Sequence, residues 1–252
     1  SADEVFQRVV AAADEEITSG SRELFFSAVA AGFAITITFL LYVSLSATTD
    51  NPVLSVMLYP LGFIYIIIGG YQPKNENTLP PHALTIERLA SIPTLLRHWG
   101  IVLTGNFTGG AIGAVALAYG GVFDPKTADK AIEIAQKGVA TGWWSLFSKA
   151  IFAGLIVAGV VWVVFSATDT VSRLLVVYLA FLAIPLGNLF HVVVPFTEVV
   201  YLVALARLPI LPGLTGFVLP VLLGNTPGGV LLVTVVNSLP PSDTRPQKAL
   251  HP

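Results

Sequence analysis

The 252-residue sequence has no cysteine, and only 11% of its residues are charged. Without cysteine, neither a disulfide framework nor a thiolate metal site can form. So little charge cannot cover the surface of an ordinary soluble domain, in which about a quarter of residues are charged. A basic excess is missing too: 13 Lys and Arg face 15 Asp and Glu, for a net charge of -2. That balance disfavours nucleic acid as a partner. The N-terminal stretch sets Phe6, Val9, Val10 and Ala13 against Asp3, Glu4, Asp14, Glu15 and Glu16. It lacks the basic region of a signal peptide, so the first apolar block is expected to stay as a span. No nucleophile, base and orienting group are spaced for hydrolysis, and His82, His98 and His251 fall near span ends or in the tail. One histidine and one glutamate inside apolar sequence do not make a metal site, so no metal, cofactor or enzymatic activity is expected.

Apolar residues fill 54% of the chain and the mean hydropathy is +0.79. They gather in blocks at about residues 25–47, 53–70, 99–121, 143–166, 171–190 and 213–237. Most approach the roughly 20 residues that a helix needs to cross the hydrocarbon core. The expected organisation is an amphipathic segment over 1–24, a six-span membrane domain over 25–237 and a tail over 238–252. The second and fifth blocks break at polar and helix-breaking residues. One break is Gly69-Gly70-Tyr71-Gln72-Pro73-Lys74-Asn75-Glu76-Asn77, the other Pro185-Leu186-Gly187-Asn188-Leu189-Phe190-His191, with Pro195 beyond it. If the chain starts inside, the inner segments carry Arg8, Arg22, Arg88, Arg97, Arg173, Arg245 and Lys248, and the outer ones Lys126, Lys130, Lys137 and Arg207. This bias favours both termini in the cytoplasm.

The third block contains Gly105-Asn106-Phe107-Thr108-Gly109-Gly110 and the sixth Gly224-Asn225-Thr226-Pro227-Gly228-Gly229, both of the form G-N-x-x-G-G. The first and fourth share Phe26-Ser27 with Ala31-Gly32, and Phe147-Ser148 with Ala153-Gly154. Two triplets of spans follow, and because three is odd the second is inverted. The two broken segments then become equivalents that meet near the bilayer midplane, where unwound backbone is tolerated only if protein buries it or it lines a cavity. Lys74 and His191 fall in these breaks. The G-N-x-x-G-G segments lack the Lys-Ser/Thr of a phosphate loop, so Gly105, Asn106, Gly109, Gly224, Asn225 and Gly228 are read as close-packing positions between helices.

His191 sits between Phe190 and Val192-Val193-Val194. A histidine in that setting can donate a hydrogen bond or share a proton with a passing anion. Lys74 has two readings: it draws anions toward a pore, or it is a structural charge paired with Glu76 or Glu198. Glu198 lies seven residues past His191, so the two can share a helix face. Asn51-Pro52-Val53 matches half of the aquaporin signature, but no second copy occurs; it is read as a helix start with Pro52 in the first turn. Trp99, Trp143, Trp144 and Trp162 stand near span ends, as interfacial anchors do.

The run from Phe217 through Pro220 to Gly224-Asn225-Thr226-Pro227-Gly228-Gly229 resembles the last-span motif P-x-x-x-G-N-x-x-G-G of the formate/nitrite transporter family, in its YfdC-like branch. Trp99 to Asn106, Ala153-Gly154 to Trp162, and Glu76-Asn77-Thr78 resemble its other segments, and the resemblance covers roughly residues 20–240. It implies an all-α, aquaporin-like fold, in which the broken helices are the second and fifth, and a homopentamer in the bacterial cytoplasmic membrane with one pore per protomer. It further implies conduction of formate, nitrite, hydrosulfide or similar small monovalent anions as conjugate weak acids. The anion would take up a proton near a central histidine, matched by His191, and cross apolar constrictions as the neutral acid. By the same resemblance, Phe63 and Ile184 fall at one constriction, Phe190 adjoins the histidine, and Asn75 replaces the threonine that bonds to it. Lys74 stands where the family has an apolar residue, Pro195 replaces an asparagine four residues after the histidine, and Gly154 replaces the fourth-span asparagine. Two other readings keep the fold: a proton-coupled transporter in which His191 and Glu198 carry the proton, and a non-conducting scaffold or sensor.

Overall fold

The computed structural model describes residues 4–8, 10–11, 20–70 and 92–238. Lys74, Asn75, Glu76 and most of the first break lie outside the described residues. Ten helices are numbered α1 to α10 here: α1 Ser21–Thr48, α2 Pro52–Ser55, α3 Leu61–Gly70, α4 Ile92–Tyr119, α5 Pro125–Val139, α6 Trp143–Ser166, α7 Thr170–Leu186, α8 Val193–Ala204, α9 Ile210–Gly213 and α10 Leu219–Ser238. A π-helical turn, Leu214–Val218, joins α9 to α10. Four helical stretches are long and apolar enough to span a bilayer: Ser21–Thr48, Leu96–Tyr119, Trp143–Ser166 and Ile210–Gly228. The other two spans are segmented, as α2 with α3 and as α7 with α8. The fold is all-α and aquaporin-like.

The most extensive helix packings are α1 with α4 and α6 with α10, and they repeat each other residue for residue. A Cβ on Gly32 would lie 2.1 Å from the Asn106 carbonyl oxygen, and one on Gly154 would lie 2.4 Å from that of Asn225. A Cβ on Gly105 would lie 2.8 Å from Phe25 O, and one on Gly224 would lie 2.3 Å from Phe147 O. A Cβ on Gly109 would lie 2.0 Å from Val29 O, and one on Gly228 would lie 2.2 Å from Ile151 O. Contact between backbones at this range leaves no room for any side chain. Moving along α1 from Phe25 to Val29 moves along α4 from Gly105 to Gly109, so the two run parallel, and α6 and α10 do likewise.

The inversion follows from the ends. Arg97 donates to the Ser21 hydroxyl, which places the starts of α1 and α4 on one face. Tyr119 donates to Ala204 O, which places the ends of α4 and α8 on the other. From that second face the chain forms α5 and turns through Ala140–Gly142 into α6, whose end returns to the first face, where Arg8 donates to Phe165 O at 3.3 Å. The amphipathic helix α5 starts at Asp124, whose carboxylate accepts from Thr127 N at 2.7 Å ahead of Pro125. This backbone bond holds the exposed Asp124 carboxyl below the usual carboxylate range.

The second block differs from the continuous apolar run that its composition suggests. Pro60 has no N–H and turns the preceding residue away from helix, so Val56–Pro60 forms turns between α2 and α3. Thr38 of α1 fills the gap, donating to Tyr59 O at 2.8 Å and accepting from Gly62 N at 3.2 Å. The Asn51 side chain caps α2 by accepting from Val53 N and Leu54 N at 2.9 and 3.2 Å.

Candidate pore site

The second break is built by local hydrogen bonding and held from outside by one side chain. Leu189 N donates to Ile184 O at 2.8 Å and Asn188 N to Pro185 O at 3.0 Å, with Asn188 at φ 53°. This is a Schellman closure with asparagine in the left-handed position. The chain then runs unwound through Phe190 and His191 until α8 starts. Asn225 of α10 accepts from Val192 N at 2.9 Å and donates to Phe190 O at 3.1 Å and to Ala150 O of α6 at 2.8 Å. Both backbone groups flanking His191 are therefore satisfied without water, as unwound chain inside a membrane requires.

His191 itself is half-buried, with Nδ1 enclosed and without a hydrogen-bond partner among the described residues. Its ring stands perpendicular to that of Phe63 at 5.9 Å between centroids, and Phe63 stacks on Phe181 at 4.0 Å. Tyr59 continues this row at 6.0 Å from Phe63, and Tyr42 lies 5.9 Å from Tyr59. Ile184 is fully buried in the same core as Phe63. Phe190 packs edge-on to Phe217 at 5.5 Å, and the Lys149 ammonium of α6 lies 5.9 Å from the Phe190 ring centre. Such an arrangement sets one imidazole, able to give or take a hydrogen bond, in an apolar and aromatic surrounding.

Glu198 lies two turns along α8 from His191, 5% exposed, with Oε2 enclosed and no hydrogen-bond partner among the described residues. The structure thus brings His191, Phe63, Ile184, Phe190 and Glu198 into one region. Gly154, where the resemblance sets aside the place of an asparagine, abuts Asn225 and has no room for that side chain.

Three features escaped the sequence reading. Phe181 was one apolar residue among many in its block. Helix α5 carried a visible signal in Asp124-Pro125 followed by Ala131, Ala135 and Gly138, all three buried on one face. The π turn places Phe217 against both Phe190 and Gly138; Pro220, which cannot donate to Gly216 O, is the cue.

The family model for formate/nitrite transporters matches residues 3–239. The chain belongs to the formate/nitrite transporter family. This family member is therefore an integral membrane transport protein rather than an enzyme. It is 29% identical over 230 residues to the inner membrane protein YfdC of Escherichia coli (strain K12), a match covering 89% of this chain and 74% of that protein. Among solved structures it is similar to a pentameric formate channel with formate bound, at a TM-score of 0.69 and 20% identity over 85% of this chain and 95% of that one. It is also similar to an FNT family ion channel, at a TM-score of 0.73 and 18% identity over 94% and 99% of the two chains. At these identities the structural likenesses establish the fold of the transporter.

Proposed function

We propose that this chain passes small monovalent anions, or the weak acids they form, across the bacterial cytoplasmic membrane through a path centred on His191. The observation that carries the reading is the half-buried imidazole with an unpartnered Nδ1, set in an unwound segment and faced by Phe63. Neutralising the ion before it enters such a lining removes most of its desolvation cost. Formate is the first substrate to test, because a formate channel shares the fold. Lys74 and Asn75 belong to this proposal as the anion-attracting cation and the hydrogen-bond partner of the histidine, both outside the described residues.

A homopentamer with both termini in the cytoplasm completes the reading. It is supported by the pentameric relative of the same fold, by the bias of positive residues, and by an apolar outer surface that exposes Phe26, Phe33, Trp99, Phe152 and Leu179. The test is flux into proteoliposomes across a panel of formate, nitrite, hydrosulfide, acetate and chloride. Formate entry is expected well above that of protein-free vesicles, and His191→Ala is expected to lower it by about a hundredfold or more, the low end for a lost proton-handling group. Wild-type vesicles impermeable to every member of the panel would sink the proposal.

A further inference from the structure

Glu198 is the only acidic side chain buried among the described residues. Its surroundings differ from those of a structural ion pair. From α5, which packs on α1 and α8, Ala131, Ala135 and Gly138 are buried, while Lys126, Glu133 and Lys137 stay exposed and Lys130 pairs with Glu133 at 2.8 Å. A Cβ on Gly138 would come within 3.3 Å of Oε2, so α5 covers the carboxyl with bare backbone. Asp129 of α5 acts on Tyr201, one turn further along α8. From α1, Tyr42 lies within electrostatic reach of Glu198, and so does Tyr59 from the turn before α3. The π turn contributes Phe217, and α9 contributes no titratable group. The charged residues of α4 beyond its first turn, Arg97 and His98, sit at its far end, and Gly110 faces Thr197. On α8 itself Thr197 uses its hydroxyl on Val193 O. No cation compensates this carboxyl among the described residues.

With Oε2 enclosed and neither cation nor donor beside it among the described residues, the carboxylate carries a desolvation cost that the acid form does not. Glu198 also stands on α8 between His191, which precedes the helix, and the face bearing α5. An uncompensated negative charge there would oppose the very anions the family carries. A carboxylic acid would instead offer them a proton.

Resting on the transport reading above, we infer that Glu198 is the proton donor for solutes entering from the α5 face, so that the path carries weak acids and excludes anions of strong acids. In the step, the Glu198 O–H bond breaks and an O–H bond forms on the incoming carboxylate. The pair left on Glu198 makes it the carboxylate, and the neutral acid moves on past Phe63 and His191. Water at the α5 face returns the proton to Glu198. One proton thus accompanies each anion.

The experiment measures flux in proteoliposomes at equal pH on both sides, from about pH 8 to about pH 5.5, a range in which formate stays mostly ionised in bulk. Formate and nitrate are compared in the wild type, Glu198→Gln and Glu198→Asp, with protein-free vesicles subtracted. Wild-type formate flux is expected to climb as pH falls and to stay well above that of protein-free vesicles throughout, while nitrate stays low. Glu198→Gln flattens the formate profile and lowers its acid end by about a hundredfold or more; Glu198→Asp restores part of the slope. In the unaltered protein, dicyclohexylcarbodiimide should modify Glu198 with the same pH dependence as the flux, a readout that holds if a variant fails to fold.

Three outcomes overturn the inference alone: an unchanged profile in Glu198→Gln, nitrate flux that rises in parallel with formate, or labelling indifferent to pH. Wild-type vesicles that carry no formate would overturn the transport reading as well.

Discussion

Asn225 satisfies with one side chain most of what the unwound segment around His191 leaves open. Its oxygen takes the Val192 N–H and its amide serves Phe190 O and Ala150 O, tying α6, the break and α10 together. Replacement by leucine keeps the branched shape and removes every bond. The expected cost is about 1–3 kcal/mol for each buried backbone group left unpaired. The variant should melt earlier in detergent by differential scanning fluorimetry, and should carry less formate because His191 loses its position. Wild-type melting in Asn225→Leu would show that the break is held by other means. The Gly-Asn pair was visible in the sequence as a repeat, and its spacing pointed to packing. The clamp was not visible, because the groups it serves lie 33, 35 and 75 residues away along the chain, and only the folded arrangement of α6, the break and α10 brings them to it.

Among the elements, the glycine contacts of α1 with α4 and of α6 with α10 define the two halves. Gly32→Ala and Gly154→Ala would each drive a methyl group into a carbonyl of the facing helix, where backbone must move. A loss of roughly 1–3 kcal/mol is expected for each, the usual range for overpacking. Gly100→Ala supplies the contrast, because a Cβ there meets nothing within 4 Å. It should be neutral or raise stability by at most about 1 kcal/mol through helix propensity. Melting curves of the three variants, compared with the wild type, test the assignment; equal losses at all three positions would refute it. Glycine spacing was legible because close packing leaves few residue types to choose from. The interruption at Val56–Pro60 was not, since it depends on Thr38 of another helix supplying the bonds that Pro60 removes. Helix α5 was overlooked because its low apolar content hides it beside much stronger membrane blocks.

For the whole molecule, inverted symmetry explains why a chain this poor in charge carries ionisable groups inside its apolar core. Two triplets facing opposite ways bring their broken members together, and the second break presents His191 where full helix would have hidden the backbone. Fold and inversion were readable because three-span halves leave sequence echoes. The partnership of Phe63 with Phe181 was not, since apolar residues within a span carry no mark of which neighbour they meet. The absence of cysteine makes the central claim open to direct test, because one introduced thiol is the only one present. In Phe63→Cys, the thiol stands where the ring now meets His191. Formate flux in proteoliposomes is measured before and after treatment with a small charged methanethiosulfonate, with modification counted by intact-protein mass spectrometry. If solutes pass between this position and His191, the thiol reacts, the reaction slows in excess formate, and flux is abolished. A thiol that stays unreactive, or one fully modified with flux unchanged, would contradict conduction past His191.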